Sequence, residues 1–339
     1  MRKAAVLLSA ALAGCTTVPK LRGLEPVSVA TSAETAPVRS GAGDAADDPA
    51  IWRDPADPAR SLVVATDKQA GLYVYGLDGA IASFTDAGRV NNVDLIDLGT
   101  QGIVVVASDR NDPTTAKLQV YRLDPATRAL LRLGEIVAGP GEAYGVCLGL
   151  AGETVIAYSV IKDGTVRAHG FLPGPAGIEP VRLAEPDRKL ATQSEGCVVD
   201  PLDGALYVGE EGTGVWRFAR GAVQGALVAH VDNRYLVADV EGLALMREEG
   251  RGWLVVSSQG DNAYAVFSLA DMQPRGRFRI AGGAMGSTEE TDGIALTGGS
   301  FGPAYPGGLF VAQDGRNQPG AQNFKLVSWA AIRAALAIE

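Results

Sequence analysis

Hydrophobic residues occur along this chain in short paired runs rather than at helical spacing. In each pair, a run rich in Val, Ile and Leu is followed by polar or glycine residues and then by a second short run. Apolar and polar residues alternate in the second runs, which is typical of a β-strand with one face in the core. The six first runs are Leu62–Lys68, Ile103–Arg110, Thr154–Tyr158, Ala205–Glu211, Trp253–Gln259 and Gly308–Asp314.

These pairs form a repeat, because their starts are separated by 41 to 55 residues. Periods of about 40–50 residues are typical of propeller blades, each a four-stranded antiparallel sheet. Only the segment Trp329–Ile338 has the pattern of an amphipathic helix, which argues against a parallel α/β fold. The pattern predicts an all-β chain that forms a six-bladed β-propeller of four-stranded antiparallel blades. A pair of β-sandwiches and a β-helix are the alternatives.

The composition is that of a folded globular protein with few residues for histidine or thiol chemistry. Hydrophobic residues make up 47% and charged residues 20% of the 339 residues, which excludes overall disorder. The formal charge of −9 argues against binding nucleic acid through a basic surface. Three cysteines and two histidines are too few for zinc fingers or a disulfide scaffold. We therefore expect carboxylates, Lys, Arg and Gly to carry the chemistry.

The N-terminus has the layout of a secretory signal. Arg2 and Lys3 precede a short apolar run, and Leu12-Ala13-Gly14 supplies small residues before Cys15. This ending resembles a bacterial lipobox, in which the cysteine is lipidated, and an ordinary signal peptide is the alternative. We expect a lipoprotein signal peptide at residues 1–14, a tether at 15–26 and the propeller at 27–339.

Removal of this signal peptide would change the formal charge from −9 to −11, because Arg2 and Lys3 leave with it. The mature chain would touch the membrane only through lipid on Cys15. Thr16 rather than Asp after that cysteine favours sorting to the outer membrane, facing the periplasm or the cell surface. We expect a monomer.

Two further cysteines, Cys147 and Cys197, each lie within an apolar run. We interpret them as a pair of buried thiols, although export would permit a disulfide.

A short strand precedes each first run, and its opening residue is acidic in five of six cases. These residues are Asp48, Asp94, Tyr144, Glu195, Glu241 and Asp292. If this strand is the innermost of each blade, propeller symmetry gathers its first residues around one mouth of the central channel. Asp47, Asp239 and Glu290 adjoin this set.

So many carboxylates in a narrow mouth would repel one another and hold protons unless a cation neutralised them. Calcium suits the site best, because it accepts six to eight oxygen ligands in flexible geometry. The lack of Cys and His beside these acids argues against zinc or copper.

The ends of the first runs carry a second set of polar residues: Lys68, Arg110, Lys162, Glu211, Gln259 and Asp314. Three successive blades contribute a cation and the other three an acid or amide. If both sets share one mouth, one side is basic and the other binds metal. Phosphate suits such a site, because Arg forks two of its oxygens, Lys adds charge and metal bridges the rest.

Sequence motifs of other phosphate enzymes are missing from the chain. It has no Arg-His-Gly triplet, no Cys-x5-Arg loop and no Gly-x4-Gly-Lys-[Ser/Thr] P-loop. Ser194 and Ser258 lack a nearby His in sequence and a nucleophile-elbow pattern. Covalent catalysis is therefore the weaker hypothesis.

Several long motifs resemble those of the β-propeller phytases, the calcium-dependent alkaline phytases of bacteria. They are Asp44-Ala-Ala-Asp-Asp-Pro-Ala-Ile-Trp52, Asn91-Asn-Val-Asp94, Gln193-Ser-Glu-Gly196, Asp239-Val-Glu-Gly242, Ser257-Ser-Gln-Gly260, Thr291-Asp-Gly293 and Asn323-Phe-Lys325. They occur in the family's order from about residue 27 onwards. The resemblance implies a six-bladed propeller that hydrolyses phosphomonoesters of myo-inositol hexakisphosphate (phytate) and uses several structural and catalytic Ca²⁺ ions.

The resemblance also implies roles for particular residues. The phosphate-contacting residues would be Lys68, Arg110, Tyr144 and Lys162. The active-site calcium ligands would be Asp47, Asp163, Glu195, Glu211, Asp239, Glu241, Gln259 and Asp292. Asp48 and the backbone of Pro49 and Val93 would hold a structural calcium, and Glu34 matches an upstream acidic ligand.

Three positions depart from the family pattern. Gln69 stands where members often carry a second Lys, which should weaken the neighbouring phosphate subsite. Asp163 replaces a Glu and has a shorter reach to the same metal. Met285 and Gly286 stand where members often have an Asp-Gly ligand, so one structural calcium is expected to be absent or bound differently.

The resulting hypothesis is a calcium-dependent phytase of the 3-phytase type, in which a metal-activated water attacks phosphorus in line, with no phosphoenzyme. Phytate or another inositol polyphosphate would be the substrate. Two alternatives are a calcium-dependent lactonase and a non-catalytic propeller that binds a polyanion or a partner.

Overall fold

The computed structural model describes residues 22–41 and 43–338. The predicted signal peptide, Cys15 and the first part of the predicted tether lie outside the described residues. Within them, 26 strands form six sheets, whose innermost strands contact one another in a ring. Among the described residues, no helix is both long and apolar enough to span a membrane.

The first two strands of the described chain belong to blades completed near the C-terminus. They are β1 (Val27–Val29) and β2 (Ala33–Glu34). Blade 1 follows and consists of β3 (Ala46–Trp52), β4 (Leu62–Asp67), β5 (Gly71–Gly76) and β6 (Ile81–Asp86). Blade 2 consists of β7 (Val90–Asp97), β8 (Ile103–Asp109), β9 (Thr115–Asp124) and β10 (Ala129–Pro140).

The middle blades repeat this antiparallel arrangement. Blade 3 consists of β11 (Ala143–Ala151), β12 (Thr154–Ile161), β13 (Thr165–Pro173), β14 (Ile178–Val181) and β15 (Arg188–Lys189). Both β14 and β15 pair with β13, so this blade has a fifth strand. Blade 4 consists of β16 (Ser194–Val199), β17 (Leu206–Glu210), β18 (Gly214–Phe218) and β19 (Ala226–His230).

The last two blades take their outer strands from the N-terminus. Blade 5 consists of β20 (Val240–Glu248), β21 (Arg251–Ser258), β22 (Ala263–Ser268) and β23 (Pro274–Ile280), with β1 added in parallel. Blade 6 consists of β24 (Ile294–Gly298), β25 (Gly308–Asp314) and β26 (Asn323–Ser328). Its fourth strand is β2, so blade 6 joins the two ends of the described chain. The predicted six-bladed propeller is confirmed.

Helical structure is short in the part of the chain that the structure describes. The helix α1 spans Trp329–Leu336, inside the predicted Trp329–Ile338 segment. Three single-turn 3₁₀ helices span Pro58–Arg60, Gly99–Gln101 and Gln259–Asp261.

Hydrophobic cores lie between neighbouring blades. The second strand of a blade, counted outward from the channel, contributes to two of these cores at once. In β8, Val105 packs in the cluster shared with blade 1, whereas Val104 and Val106 pack in the cluster shared with blade 3. Successive side chains of a strand point to opposite faces. Both faces of this strand are covered. This explains why the second strand of each blade, which corresponds to a first run of the sequence repeat, is a continuous hydrophobic run.

Cys147 in β11 and Cys197 in β16 form a disulfide, with Sγ atoms 2.04 Å apart. The interpretation of two buried thiols was therefore wrong. These residues lie on adjacent innermost strands and are brought within a Cα–Cα distance of 5.7 Å by the ring of blades. Their separation of 50 residues in sequence gave no indication of this contact.

Candidate active site at the channel mouth

Five of the six innermost strands have a bulge near their start, where unpaired residues turn toward the channel. In blade 1, Asp47 and Asp48 lie between two residues paired with β4. Asn91 and Asn92 occupy the equivalent place in blade 2. Bulges re-aim side chains in this way beside active sites. The first bulged residue and its equivalents in the other blades form a ring composed of Asp47, Asn91, Tyr144, Glu195, Glu241 and Asp292.

This register corrects the predicted ring, because Asp48 and Asp94 do not belong to it. Asp48 is the second bulged residue, and its Oδ2 accepts a hydrogen bond from the Val93 amide at 3.0 Å. Asp94 lies further along β7 and accepts a hydrogen bond from the Leu148 amide at 2.8 Å. The ring thus contains four acids, one asparagine and one tyrosine.

The glycines of the acid-Gly motifs let these strands approach one another. A Cβ atom at Gly196 would lie 2.2 Å from the carbonyl oxygen of Glu241, and one at Gly242 would lie 2.6 Å from that of Asp292. Such separations leave no room for any other residue type. The repeated glycine therefore brings successive acids together at the mouth.

Three glutamates form the centre of the acidic side of the mouth. Glu195, Glu211 and Glu241 each offer a carboxylate oxygen within 4.8 Å of the others. Asp239, Asp292 and Gln259 line the same cavity, whose volume is about 1030 Å³. Glu195 and Glu241 are only 5% and 6% exposed, so water screens their charges poorly.

Burial and mutual repulsion raise the pKa values of these acids. Burial raises the pKa of Glu195 to about 8, with Lys68 opposing the shift and Asp292 adding to it. Burial, and then the charge of Glu195, raise the pKa of Glu241 well above its ordinary value. Burial also raises the pKa of Asp47, against the charge of Lys68. Without a bound metal ion, Glu195 therefore holds its proton at neutral pH.

Several oxygen atoms of this cluster lack hydrogen-bond donors. Neither carboxylate oxygen of Asp47 nor Oε2 of Glu241 accepts a hydrogen bond from any described residue, although all three are buried. Asp47 Oδ1 does lie 3.0 Å from Lys68 Nζ as an ion pair. Carboxylate and amide oxygens are the ligands that a hard divalent cation such as Ca²⁺ prefers. A cluster of such oxygens, some of them without a hydrogen-bond donor, therefore fits this kind of cation.

Lys68, at the end of β4, belongs to the acidic side of the mouth. Its Nζ lies 2.9 Å from Asp44 and 2.8 Å from Asp292, in addition to Asp47. Burial lowers the pKa of this ammonium, but the charges of Asp47 and Asp292 outweigh burial and raise it overall. Lys68 therefore stays charged and holds acids of two blades together.

Arg110, Tyr144 and Lys162 form the basic side. The Arg110 guanidinium lies 5.2 Å and the Lys162 ammonium 4.9 Å from the centre of the Tyr144 ring. Both cations also contact Glu142, which accepts a hydrogen bond from Arg110 Nε at 2.8 Å and lies 3.9 Å from Lys162 Nζ. The aromatic face and Glu142 thus hold two cations in one place.

Three residues of the mouth had no role in the sequence analysis. Asn91 Nδ2 donates to Glu195 at 2.7 Å, and its side-chain oxygen accepts from Arg110. Gln193 Nε2 donates to Glu211 at 2.7 Å. Asn91 and Gln193 do belong to the family motifs, which was a usable signal. Glu142 precedes β11 directly, but a lone acid before a strand gives no such signal.

Two predicted ligands lie apart from the mouth. Glu34 forms an ion pair with the buried Lys325 and accepts a hydrogen bond from Asn323 at 3.0 Å. The Asp163 side chain is 63% exposed and lies 2.7 Å from Lys189 Nζ. The structure does not bring either carboxylate to the acidic cluster.

The predicted structural calcium residues lie in a second cavity of about 250 Å³. Asp48, Pro49 and Val93 all line it, together with Asp94. Burial, and then the charge of Asp47, raise the pKa of Asp48 well above its ordinary value. The structure thus brings these three residues together, away from the mouth cavity.

Comparison with known proteins identifies the family to which this chain belongs. The family model described as Phytase matches residues 1–339. The chain is also 36% identical over 326 residues to a 3-phytase of Bacillus subtilis (strain 168), covering 90% of this chain and 84% of that protein. The chain belongs to the phytase family. The resemblance in the sequence motifs is confirmed, and the enzyme is a phosphomonoester hydrolase by family.

Among solved structures, a Bacteroides thetaiotaomicron VPI-5482 protein of unknown function is similar in fold. The TM-score is 0.53 with 11% sequence identity, over 89% of this chain and 74% of the other. At this identity the similarity extends to the fold alone.

Proposed function

We propose that this phytase family member releases phosphate from phytate at the channel mouth in a Ca²⁺-dependent reaction. The observation that carries the proposal is the pairing of two opposite surfaces in one mouth. On one side, Glu195, Glu211 and Glu241 converge, and Oε2 of Glu241 is buried without a hydrogen-bond donor among the described residues. On the other side, Arg110 and Lys162 are held on Tyr144. Positive charge gathered at one place, from cationic side chains and from a bound metal, lets an anionic ester bind to a protein whose net charge is negative.

The acids of the mouth are the residues that would hold calcium. They are Asp47, Glu195, Glu211, Asp239, Glu241 and Asp292, with the amide oxygen of Gln259. When bound, calcium supplies positive charge that neutralises the acids, polarises phosphoryl oxygens and lowers the pKa of water. Lys68 fixes the spacing of Asp47 and Asp292 and so keeps these ligands in place.

The basic side would bind and orient the phosphoryl group. Arg110 offers a fork of N–H donors whose direction is set by Glu142 and Asn91. Lys162, 41% exposed at its side chain, contributes a positive charge that solvent can reach. Charge that develops on the phosphoryl oxygens would be stabilised by these groups without further rearrangement.

The test is phosphate release from phytate by the purified protein with and without EDTA. Activity should fall to background in the chelator and return when excess Ca²⁺ is added. Undiminished release in EDTA would refute the metal requirement. Binding of phytate without any phosphate release would instead favour the non-catalytic alternative.

We also propose that the protein is exported and carries lipid on Cys15. We further propose that it acts as a monomer and attacks the 3-phosphate of phytate. The lipobox-like segment supports the first part, and similarity to a 3-phytase supports the second. Mass spectrometry of the cell-derived protein tests the lipid, with Cys15→Ser as the unlipidated control. Chromatography of the first inositol pentakisphosphate product tests the position.

A further inference from the structure

The basic and acidic sides of the mouth meet between blades 3 and 4. Tyr144 in β11 belongs to the basic side, and Glu195 in β16 belongs to the acidic side. These two innermost strands contact each other in the ring, and a Cβ atom at Gly145 would collide with the carbonyl oxygen of Glu195. The separation of β11 from β16 therefore sets the separation of the two sides.

Polar contacts join the other five pairs of neighbouring innermost strands. Backbone amides donate across four of them at 2.7–3.0 Å, from Val93 to Asp48, from Leu148 to Asp94, from Gly242 to Asp292 and from Gly293 to Asp47. For β24, the residues that take part directly precede the strand. The fifth pair, β16 and β20, is joined at the end away from the mouth, where Arg247 Nε donates to Asp200 at 3.0 Å.

The junction between β11 and β16 is held differently. Within the described residues, no backbone amide of either strand donates to the other. At the mouth, Gln193 Nε2 donates to Tyr144 Oη across this junction at the long distance of 3.4 Å. The disulfide between Cys147 and Cys197 crosses the same junction, three residues after Tyr144 and two residues after Glu195. A covalent bond thus joins the ring where the two sides of the mouth meet.

We propose that Cys147 and Cys197 are positioning residues, whose disulfide holds the phosphate-binding side at the distance from the metal-binding side that catalysis requires. The inference rests on the proposed function. The three clustered glutamates of the mouth belong to blades 4 and 5, and the two cations held on Tyr144 belong to blades 2 and 3. A reacting phosphoryl group must contact both sets at once. A displacement of about 1 Å between such groups can lower a rate about 100-fold.

The disulfide can be reached in the folded protein through the central channel. Cys147 is 1% exposed, but Cys197 is half-buried and lines the channel cavity of about 250 Å³. A thiolate of dithiothreitol can attack Sγ of Cys197 and release the thiolate of Cys147. The second thiolate of the reagent then displaces Cys197, so that the reagent becomes a cyclic disulfide and the protein gains two thiols.

The experiment compares wild type with the double variant Cys147→Ser/Cys197→Ser on phytate in saturating Ca²⁺. The assay temperature lies well below both thermal midpoints, and circular dichroism checks that each sample is folded. The kcat should fall about tenfold in the double variant, because the two sides are no longer held in register. KM and the Ca²⁺ concentration for half-maximal activity should stay unchanged, because each side keeps its own charges and ligands.

Reduced wild type provides the same comparison without any substitution. Dithiothreitol should lower its kcat to that of the double variant, and reoxidation with oxidised glutathione should restore it. The double variant should respond to neither reagent, which separates reduction of the disulfide from any effect of the reagents on calcium.

Leu123→Ala is the control for a loss of stability alone. Leu123 is 1% exposed and pairs with Ile103 at the start of β8, about 20 Å along that strand from Asp109 at its mouth end. This truncation should lower the thermal midpoint to a similar degree and leave kcat unchanged. A wild-type kcat in the double variant and in reduced wild type, or an equal loss of kcat in Leu123→Ala, would overturn the inference. A wild type that releases no phosphate from phytate would refute the proposed function, and this inference with it.

Discussion

Glu241 offers a test at the scale of one residue, because its substitution should change catalysis and stability in opposite directions. Glu241→Gln keeps the size of the side chain but replaces a buried carboxyl group that lies beside Glu195 and Glu211. We expect phosphate release to fall about 100-fold at fixed Ca²⁺, as for loss of a metal ligand. The thermal midpoint of the metal-free variant at pH 8 should rise, because the raised pKa of Glu241 costs folding free energy once the unfolded state ionises, and glutamine carries no such cost.

Glu179→Gln in the outer strand β14 is the control, since Glu179 is exposed. It should change neither quantity. A Glu241→Gln variant with wild-type activity would remove this residue from the metal site. A variant that is inactive and also less stable without metal would point to a structural role instead.

Arg110 tests whether geometry as well as charge matters on the basic side. Lysine cannot reproduce the fork that contacts Glu142 and Asn91 together. Arg110→Lys should lower kcat/KM for phytate at least about tenfold. Arg132→Lys, at an exposed ion pair on β10, should have no effect in the same assay. Equal activity of the two variants would show that charge alone suffices at residue 110.

At the scale of elements, the disulfide joins the two innermost strands that carry Tyr144 and Glu195. It closes a loop that contains nearly all of blade 3. Replacing both cysteines by serine should cost about 2–4 kcal/mol of stability, seen as a lower thermal midpoint. Wild type treated with dithiothreitol should unfold at a similarly lowered temperature, whereas the double variant should not respond to the reductant. Reactive thiols at Cys147 and Cys197 in unreduced, unfolded wild type would contradict the bond.

The strands were predictable because a propeller repeats one pattern six times. The second strand of each blade is covered on both faces and is therefore a continuous hydrophobic run in the sequence. The register of the acids was harder to predict. A two-residue bulge places Asp47 and Asn91 in the ring, where sequence alignment by the following apolar run had placed Asp48 and Asp94. The spacing of hydrophobic residues does not predict where a bulge lies, because bulged residues have no pairing partner on the neighbouring strand.

Side-chain partners between blades were the least predictable feature. Lys68 was grouped with Arg110 and Lys162 because all three follow equivalent strands. In the structure it contacts acids of blades 1 and 6 instead. Which neighbours a long side chain reaches depends on contacts between residues more than 200 positions apart, and a single sequence does not reveal them.

At the scale of the whole molecule, the ring concentrates negative charge where the blades meet, and this makes metal-free stability depend on pH. Burial raises the pKa of Glu195 to about 8, far above the ordinary glutamate value of about 4.3. The folded state thus binds this proton more tightly than the unfolded state. Stability from this group is complete below the unfolded pKa and is lost as pH rises toward 8.

We therefore expect the thermal midpoint of the EDTA-treated protein to fall by about 5–10 °C between pH 5 and pH 8. In saturating Ca²⁺ the fall should disappear, because a bound cation stabilises the ionised acids and removes the excess proton affinity of the folded state. The measurement is thermal unfolding by circular dichroism at both pH values, with and without calcium. A metal-free midpoint that is constant or rises with pH would mean that these carboxylates are already neutralised by Lys68 and the neighbouring amides. The acidic ring would then need no divalent ion to remain folded.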